Sequence, residues 1–466
     1  MPFIGHLVSH VEFAKRLLDQ DDRFSVTVLV INPVFAPHIR TYVESLAASD
    51  ARLRFINLPQ IEFTLTSREL LEVLYYIESH KLVVKQYIIN HVLLDSVSFA
   101  GLVVDTFTTP MIDVANELGL PSYLFNTSGV AYLACMLHLI SRHDQVGREL
   151  QAFDTESVIP GYVNPVPSKV LDSFLLDKNV AYISFLNLVR KFKETKAIIV
   201  NSFEELESHA VKSLLELDNN LPFYMVGPLL DLHGRSSSLC EEAQRDEIMK
   251  WLDDQPPSTV VFLCFGSILP MDEAQATEIA KGLELCGHRF LWSARIQKPI
   301  NDTSGKPNNC TNLKEILPQG FLERTKGRGL VCDWAPQIEV LSHKSIGGFV
   351  SHCGWNSILE SLWYGVPILT WPMYAEQQLN AFQMVKDLGL AVEMRLDYKL
   401  GKSDLVMGDE IEKAVKYMMA GDSEVRMKVK KMSEPSKEAV RDSNGSSFTN
   451  YGRLIEFMID NAYNKS

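Results

Sequence analysis

The stretch that decides the fold begins Trp334-Ala-Pro-Gln337, continues through Ser351-His-Cys-Gly-Trp-Asn-Ser357 and Glu360, and ends in Pro372-Met-Tyr-Ala-Glu-Gln377. It combines a ring suited to stacking, a glycine-containing turn before a helical segment, and carboxylate and amide side chains. Helix N-termini bind anions, whereas carboxylates and amides bind hydroxyl groups. The stretch therefore indicates a site for a ligand that carries a flat ring, an anionic group and several hydroxyls.

Short apolar runs alternate with amphipathic stretches on both sides of this site. The runs that suit buried strands include Val26–Ile31, Gly101–Val104, Pro121–Phe125, Thr259–Cys264 and Gly347–Val350. Strands that alternate with helices predict parallel sheets covered by helices. We expect an α/β protein with two doubly wound, Rossmann-like domains whose parallel sheets face a cleft, with ligands at the carboxyl ends of the strands.

The composition changes after Gly227-Pro228, where a stretch rich in glycine and serine follows. We predict four segments, which are an N-terminal domain over 1–228, a linker over 229–245, a C-terminal domain over 246–445 and a C-terminal helix over 446–466. The polar residues 297–313 predict a surface loop.

The overall composition bounds the function classes. The 466 residues are 46% hydrophobic and carry a net charge of −13, which is ordinary for a soluble protein and argues against nucleic acid as a partner. The seven cysteines are scattered without a CxxC pair, which indicates neither a zinc site nor a disulfide framework. The N-terminus lacks a signal-peptide pattern and no apolar run is long enough to span a bilayer, so we expect a cytoplasmic protein.

The anion-binding part of the site is predicted at the start of a helix. His352 follows a strand, and Gly354 lets the backbone approach a ligand before Trp355, Asn356 and Ser357 form the first helical turn. The free amides and partial positive charge of that turn suit a diphosphate, and the His352 and Ser357 side chains add hydrogen-bond donors.

Four further residues complete the predicted ligand site. Glu360 lies four residues after Asn356, on the same helix face, where its carboxylate can bind ribose hydroxyls. Trp334 can stack on a base, and Gln337 can hydrogen-bond the ribose or the base. Small residues at the turn Phe265-Gly266-Ser267 predict a second phosphate contact through Ser267.

A second constellation lies near the N-terminus. Gly5-His6 precedes a predicted helix over Leu7–Leu18, and Asp105 ends the predicted strand Gly101–Val104. Imidazole is suited to accept a hydroxyl proton near neutral pH. A carboxylate at the end of a strand can orient that imidazole and stabilise its protonated form.

With the long stretch and the Gly-His segment, the sequence resembles the plant secondary-product UDP-dependent glycosyltransferases, and the resemblance extends from end to end. The resemblance implies the GT-B fold and inverting transfer of glucose from UDP-glucose to a hydroxyl, which gives a β-O-glucoside. It implies His6 as the catalytic base with Asp105 as its partner, and a C-terminal segment that packs back on the N-domain. It also implies a monomer. The donor residues that it implies are Ser267, Trp334, Ala335, Gln337, His352, Gly354, Trp355, Asn356, Ser357, Glu360, Glu376 and Gln377, of which Glu376 and Gln377 read the hexose and Gln377 favours glucose.

The acceptor cavity should be apolar with few polar groups. The side chains near the predicted strand ends that could line it are Phe107, Met111, Phe125, Thr127 and Tyr374. Each of them could instead belong to the core. An aromatic pocket suits a flavonoid, phenylpropanoid or terpenoid alcohol.

No metal and no cofactor are expected. Asp19-Gln20-Asp21 spells the metal-binding pattern of another glycosyltransferase class, but it lies in an acidic loop and is interpreted as solvated surface. His10 lies one helical turn after His6, yet no carboxylate has the offset of a metal ligand. The charge of a leaving diphosphate can be offset by a helix N-terminus and neutral donors.

The sequence departs from the family in one respect. The family has an apolar strand ahead of the Gly-His pair, where this sequence reads Met1-Pro2-Phe3-Ile4. We therefore expect the first strand of the N-domain to be largely missing, which would weaken the sheet and the placement of His6. The alternative function is a UDP-sugar-binding protein with little or no catalysis. A dinucleotide-dependent oxidoreductase is disfavoured because no GxGxxG follows a strand.

Overall fold

In this computed structural model, the described residues are 3–31, 38–46, 50–61, 70–94, 98–146, 156–172, 175, 180–217, 221–234, 240–266, 271–295, 316–421, 423–441 and 444–464. The predicted loop over 297–313 and the predicted phosphate contact Ser267 lie outside them.

The first half of the chain alternates strands and helices. Strands β1 to β9 span Val26–Val30, Leu53–Asn57, Ser98–Phe99, Leu102–Asp105, Ser122–Asn126, Glu156–Ser157, Val166–Pro167, Ala197–Val200 and Phe223–Met225. Helices α1 to α8 span Ile4–Gln20, His38–Leu46, Leu70–Glu78, Lys81–Tyr87, Met111–Glu117, Val130–Val146, Val180–Arg190 and Glu204–Glu216.

The second half repeats the pattern. Strands β10 to β16 span Val260–Cys264, Arg289–Ser293, Gly329–Cys332, Ile346–Ser351, Ile368–Thr370, Ala391–Glu393 and Tyr463–Asn464. Helices α9 to α17 span Glu242–Asp253, Glu273–Cys286, Phe321–Arg324, Gln337–Ser342, Trp355–Tyr364, Gln377–Phe382, Gly408–Met419, Glu424–Glu438 and Ser446–Asp460. Helix α9 begins at Glu242, so residues 242–245 form its first turn instead of the end of the predicted linker.

The chain divides into two compact units. The N-terminal unit comprises Met1–Ser168, Ser173–Asp231 and Pro435–Ser466, and the C-terminal unit comprises Lys169–Asp172 and Leu232–Glu434. None of the helices within the described ranges combines the length and the apolar character that crossing a bilayer would need.

The N-terminal unit is built on parallel strands. Strands β4, β5, β8 and β9 form a four-stranded parallel sheet in the order β4-β5-β8-β9, and β1 pairs with β2 in a separate parallel sheet. Among the described residues, no strand joins β1 to β4. All five residues of the inner strand β5 are buried, as expected for a strand covered on both faces.

Helix α1 is longer than predicted. Its buried residues include Leu7, Val11, Ala14 and Leu18, which recur at helical spacing and form one apolar face. The helix begins at Ile4, three residues before the predicted start, so Gly5 and His6 are already helical. His6 therefore lies in the first turn of α1 instead of ahead of it.

The C-terminal helix α17 belongs to the core of the N-terminal unit. Its residues Tyr451, Leu454 and Met458 are buried in the same cluster as Phe13 of α1. The Tyr451 hydroxyl donates a hydrogen bond of 2.5 Å to the Phe13 carbonyl oxygen. Helix α17 therefore packs against α1, the helix that carries His6.

The C-terminal unit contains one six-stranded parallel sheet in the order β12-β11-β10-β13-β14-β15. The strand order reverses direction between β10 and β13, which pair in parallel so that Cys264 lies opposite Ser351. In open α/β sheets such a switch point leaves a crevice at the carboxyl ends of the strands. The sheet topology thus places the turn after Cys264 next to the turn after Ser351.

We predict that Leu454→Ala destabilises the N-terminal unit by about 2–5 kcal/mol, because it leaves a cavity where a fully buried side chain packs against α1. Denaturant unfolding followed by far-UV circular dichroism measures the change. Glu456→Ala on the exposed side of the same helix is the control and should change the free energy of unfolding by less than about 0.5 kcal/mol. Equal effects of the two variants would contradict the assignment of α17 to this core.

Candidate active site

The N-terminal unit brings His6 and Asp105 into contact. The His6 Nδ1 atom lies 2.7 Å from the Asp105 Oδ2 atom. Asp105 is the last residue of β4 and is fully buried, whereas the His6 side chain is 27% exposed. The contact therefore joins a buried carboxylate to an imidazole with access to solvent.

The ionisation state of Asp105 determines which ring nitrogen of His6 carries the proton. Burial raises the pKa of the Asp105 carboxyl, but the His6 ring and its hydrogen bond oppose burial, and the net pKa lies below the usual value. The carboxyl is therefore ionised at neutral pH and can only accept hydrogen bonds. Nδ1 of His6 must carry the proton that it donates to Asp105, which leaves Nε2 with a free electron pair in the neutral ring.

The Asp105 carboxylate is held in place from its other side. Its Oδ1 atom accepts a hydrogen bond of 2.8 Å from the Phe107 backbone N–H, and its own backbone N–H donates to the Thr108 hydroxyl at 2.8 Å. Asp105 is thus the N-cap of a short 3-10 helix over Thr106–Thr108. Because the cap fixes the carboxylate, His6 meets a pre-positioned acceptor.

Two of the predicted acceptor residues lie close to His6, and a third is buried in the helix that follows. The Thr127 Oγ1 atom is 3.1 Å from His6 Nδ1, and the Phe107 ring centroid is 5.3 Å from that of His6. Met111 is buried at the start of α5, which follows the same 3-10 helix. The ring of Phe3, which was not predicted to contribute, lies 5.9 Å from His6. Aromatic side chains thus flank the imidazole.

Phe125, one of the predicted acceptor residues, lies in the core. It is fully buried in the core of the N-terminal unit, where its ring packs against Phe13 at 5.3 Å and His10 at 4.5 Å. Both faces of the inner strand β5 are covered, so this side chain packs against a helix. His10 donates from Nδ1 to the His6 carbonyl oxygen at 2.9 Å, and burial lowers its pKa to about 4, so it is a neutral packing residue.

The C-terminal unit assembles His352 at the switch point of its sheet. His352 follows β13 directly and is largely buried. Burial lowers the pKa of its ring to about 4, and a hydrogen bond to the Cys264 backbone only partly opposes this effect. The predicted donor is therefore neutral at pH 7 and carries a single N–H, so it contributes a dipole and no charge.

Two glycines make room for this ring. A Cβ atom at Gly354 would lie 2.5 Å from His352 Nε2, and one at Gly266 would lie 2.8 Å from the same atom. Gly266 also has a φ of 80°, which side chains disfavour. Within the described residues, His352 Nδ1 is buried without a hydrogen-bond partner. The missing side chain at Gly354 thus makes room for the histidine ring.

Helix α13 starts where the sequence predicts it, at Trp355, with Gly354 as its N-cap. The N-cap has no side chain that could bond the first amides, which suits a helix start that binds an anion. Trp355 is buried, whereas Asn356 is partly exposed next to it in the first turn. These residues place the predicted anion pocket at the carboxyl end of β13.

The structure also brings Gln337, Ser357 and Glu360 together. The Gln337 Nε2 amide donates to the Ser357 hydroxyl at 2.8 Å and to the Glu360 Oε2 atom at 2.7 Å. Ala335 is buried and Trp334 precedes it, two residues after β12 ends at Cys332. The amide therefore fixes the carboxylate that the sequence predicts to bind ribose.

The end of the stretch is ordered by Gln377. Its Oε1 atom accepts the backbone N–H groups of Met373 and Tyr374 at 2.9 and 3.1 Å, so the amide nitrogen is the part suited to a ligand. Glu376, the N-cap of α14, and Tyr374 are both partly exposed beside it. Trp371, by contrast, is fully buried and packs edge-on against Phe265.

Sequence reasoning missed two side chains of this site. The Arg295 guanidinium lies 5.9 Å from the centre of the Trp334 ring and donates to the Gly266 carbonyl oxygen at 3.4 Å. Asn380 donates to the Cys353 carbonyl oxygen at 3.1 Å and ties α14 to the turn before α13. Asn380 follows Gln377 by three residues, so helical spacing could have identified it. No comparable pattern marks Arg295.

The described residues hold no group of three or more His, Cys, Asp or Glu side chains that could bind a metal ion. In the acidic loop, the Asp21 carboxylate pairs with Arg23 at 2.6 Å.

Comparison with known proteins places these geometries in one family. The family described as UDP-glucoronosyl and UDP-glucosyl transferase matches residues 63–432. The chain is 51% identical to UDP-glycosyltransferase 71K1 of Malus domestica over 98% of this chain and 97% of that protein. It is 45% identical to flavonol 3-O-glucosyltransferase UGT71C4 of Arabidopsis thaliana over 99% of this chain and 97% of that protein.

Solved structures agree with the sequence comparison. The crystal structure of Medicago truncatula UGT71G1 complexed with UDP-glucose superposes with a TM-score of 0.88 at 45% identity, covering 98% of this chain and 96% of that chain. A UGT transferase from Siraitia grosvenorii in complex with UDP gives a TM-score of 0.85 at 44% identity, with 98% of each chain covered. The predicted GT-B fold and the predicted family are confirmed, and the chain therefore belongs to the plant UDP-glycosyltransferases.

Proposed function

We propose that this enzyme transfers glucose from UDP-glucose to a hydroxyl of a small apolar acceptor with inversion, giving a β-O-glucoside. The observation that carries the proposal is the hydrogen bond between His6 and the buried Asp105, which leaves Nε2 of His6 able to accept a proton. General-base catalysis by a positioned imidazole contributes about 10²–10⁴-fold to a rate.

In the proposed step, Nε2 of His6 removes the proton from the acceptor hydroxyl, and the resulting oxygen attacks the anomeric carbon of glucose. The bond from that carbon to the diphosphate oxygen breaks, and UDP leaves with the electron pair. Asp105 stabilises the imidazolium that forms, because its carboxylate stays ionised.

The donor half of the proposal rests on the C-terminal unit. We expect Trp334 to stack on uracil, Glu360 to bind the ribose, and the first turn of α13 with His352 to bind the diphosphate. Glu376 and the amide nitrogen of Gln377 then bind the hexose. A helix N-terminus and neutral donors can offset the charge of the leaving group, so we propose transfer without a metal ion.

The acceptor class follows from the side chains around His6. The rings of Phe3 and Phe107 flank the imidazole, which supports a flat or apolar acceptor such as a flavonoid, a phenylpropanoid or a terpenoid alcohol. The name of the Arabidopsis thaliana relative, a flavonol 3-O-glucosyltransferase, supports the first of these. A UDP-sugar-binding protein without catalysis is not favoured, because the His6–Asp105 pair is fully assembled.

The proposed function predicts acceptor-dependent release of UDP from UDP-glucose with a panel of flavonols, phenolic acids and terpenoid alcohols. The His6→Ala variant should lose at least about 10²-fold in kcat, because no base remains, and should bind UDP-glucose as the wild type does. His91→Ala, which removes an exposed imidazole of the same unit, is the control and should keep its activity. Undiminished turnover by His6→Ala would rule out the base assignment.

A second prediction concerns Gln337. The Gln337→Met variant keeps the side-chain length but loses both hydrogen bonds that hold Ser357 and Glu360, so UDP-glucose should bind about tenfold more weakly. Isothermal titration calorimetry measures the affinity. Gln319→Met changes an exposed side chain of the same unit and should leave the affinity unchanged. An unaltered affinity for Gln337→Met would show that the network does not organise the donor site.

A further inference from the structure

A buried carboxylate that the proposed reaction does not use lies in the N-terminal unit. Glu207 belongs to helix α8 and is 2% exposed. Its Oε2 atom accepts the backbone N–H of Val130 at 2.8 Å, and its Oε1 atom accepts that of Ala131 at 3.0 Å. The Ser202 hydroxyl donates a further, short hydrogen bond to Oε2. A buried charge is tolerated only when it is bonded in this way.

These hydrogen bonds place Glu207 at the start of helix α6, whose first two residues are Val130 and Ala131. The first amides of a helix have no partner within the helix, and the partial positive charge there favours an anion. Hydrogen bonds from amides to a carboxylate are stronger than those between neutral groups. Glu207 therefore anchors the start of α6 from a different helix.

The start of α6 is joined by a short turn to the residue that touches His6. Strand β5 ends at Asn126, whose side-chain amide donates to the Ser128 carbonyl oxygen at 2.7 Å. Thr127 lies within this turn, and its hydroxyl oxygen is 3.1 Å from His6 Nδ1. The turn is thus fixed on one side by β5 and on the other by the bonds between Glu207 and α6.

We infer that Glu207 is a positioning residue for the His6–Asp105 pair and acts through Thr127. The inference rests on the proposed function. By anchoring the start of α6, Glu207 holds the Thr127 hydroxyl against Nδ1 of His6. Together with Asp105, that hydroxyl limits rotation of the ring and aims Nε2 at the acceptor hydroxyl. Misplacing a reacting group by about 1 Å can cost about 10²-fold in rate.

A second buried carboxylate serves as the control for an effect on stability alone. Glu278 in the C-terminal unit is 7% exposed, and its Oε2 atom accepts the Gly408 backbone N–H at 2.8 Å, at the first residue of helix α15. Both carboxylates therefore anchor the start of a helix from another helix. Only the helix anchored by Glu207 begins beside a residue that contacts His6.

The test is a double-mutant cycle with Glu207→Gln and Thr127→Val, in which Thr127→Ser and Glu278→Gln are the controls. We expect Glu207→Gln to lower kcat by about 10- to 100-fold at unchanged affinity for UDP-glucose. In the Thr127→Val background the same change should cost less than about 3-fold, since coupled residues are not additive. Thr127→Ser, which keeps the hydroxyl, should lose less kcat than Thr127→Val, and Glu278→Gln should lower the melting temperature while keeping kcat.

A second readout does not depend on turnover. The titration of the His6 ring, followed by NMR, should shift in Glu207→Gln and should not shift further when that change is added to Thr127→Val. Glu207→Asp, which keeps the charge on a shorter side chain, replaces Glu207→Gln if that variant does not fold.

Two results would overturn the inference. The first is an equal loss of kcat from Glu207→Gln in the wild-type and Thr127→Val backgrounds, and the second is a His6 titration that is the same in Glu207→Gln as in the wild type. A wild-type protein that releases no UDP with any acceptor would instead refute the proposed function. In that case the His6 titration, which does not depend on turnover, still tests the role of Glu207.

Discussion

The hydrogen bond between His6 and the buried Asp105 carboxylate is the constraint on which the N-terminal unit depends. A carboxylate without exposure must be satisfied by donors, and Asp105 receives them from the His6 ring and the Phe107 amide. These bonds require α1 to start at the carboxyl end of β4. The core follows from this placement, because the apolar face of α1 then packs on the inner strand β5 and on α17.

The C-terminal unit depends on a steric constraint instead. The His352 ring occupies space that side chains at Gly266 and Gly354 would fill, so the two turns at the switch point can approach each other only as glycines. The same close approach leaves the start of α13 without a capping side chain. A neutral ring, a helix start and the fixed Glu360 carboxylate then suit a nucleotide diphosphate and its ribose.

Sequence patterns predicted much of this arrangement and missed the parts that depend on tertiary contacts. Buried parallel strands such as β10 and β13 are largely apolar runs, so they were recognisable, as was α13 with its glycine turn. The start of α1 was missed because Gly5 is a poor helix former, yet His6 is held there by Asp105, which is 99 residues away in sequence. The burial of Phe125 in the core was not predicted, because a strand end does not reveal which face is covered. Arg295 and Glu207 carry no local pattern, since their partners are distant in sequence.

The most direct test of this account is the tautomer of His6, measured by NMR of protein labelled with ¹⁵N at histidine. We expect a neutral ring with the proton on Nδ1, hydrogen-bonded to Asp105, and a free electron pair on Nε2. The Nδ1 proton signal should be strongly shifted in the wild type and lose that shift in Asp105→Asn. A His6 ring that carries its proton on Nε2 in the wild type would contradict the central claim, because that nitrogen could not then accept a proton from the acceptor.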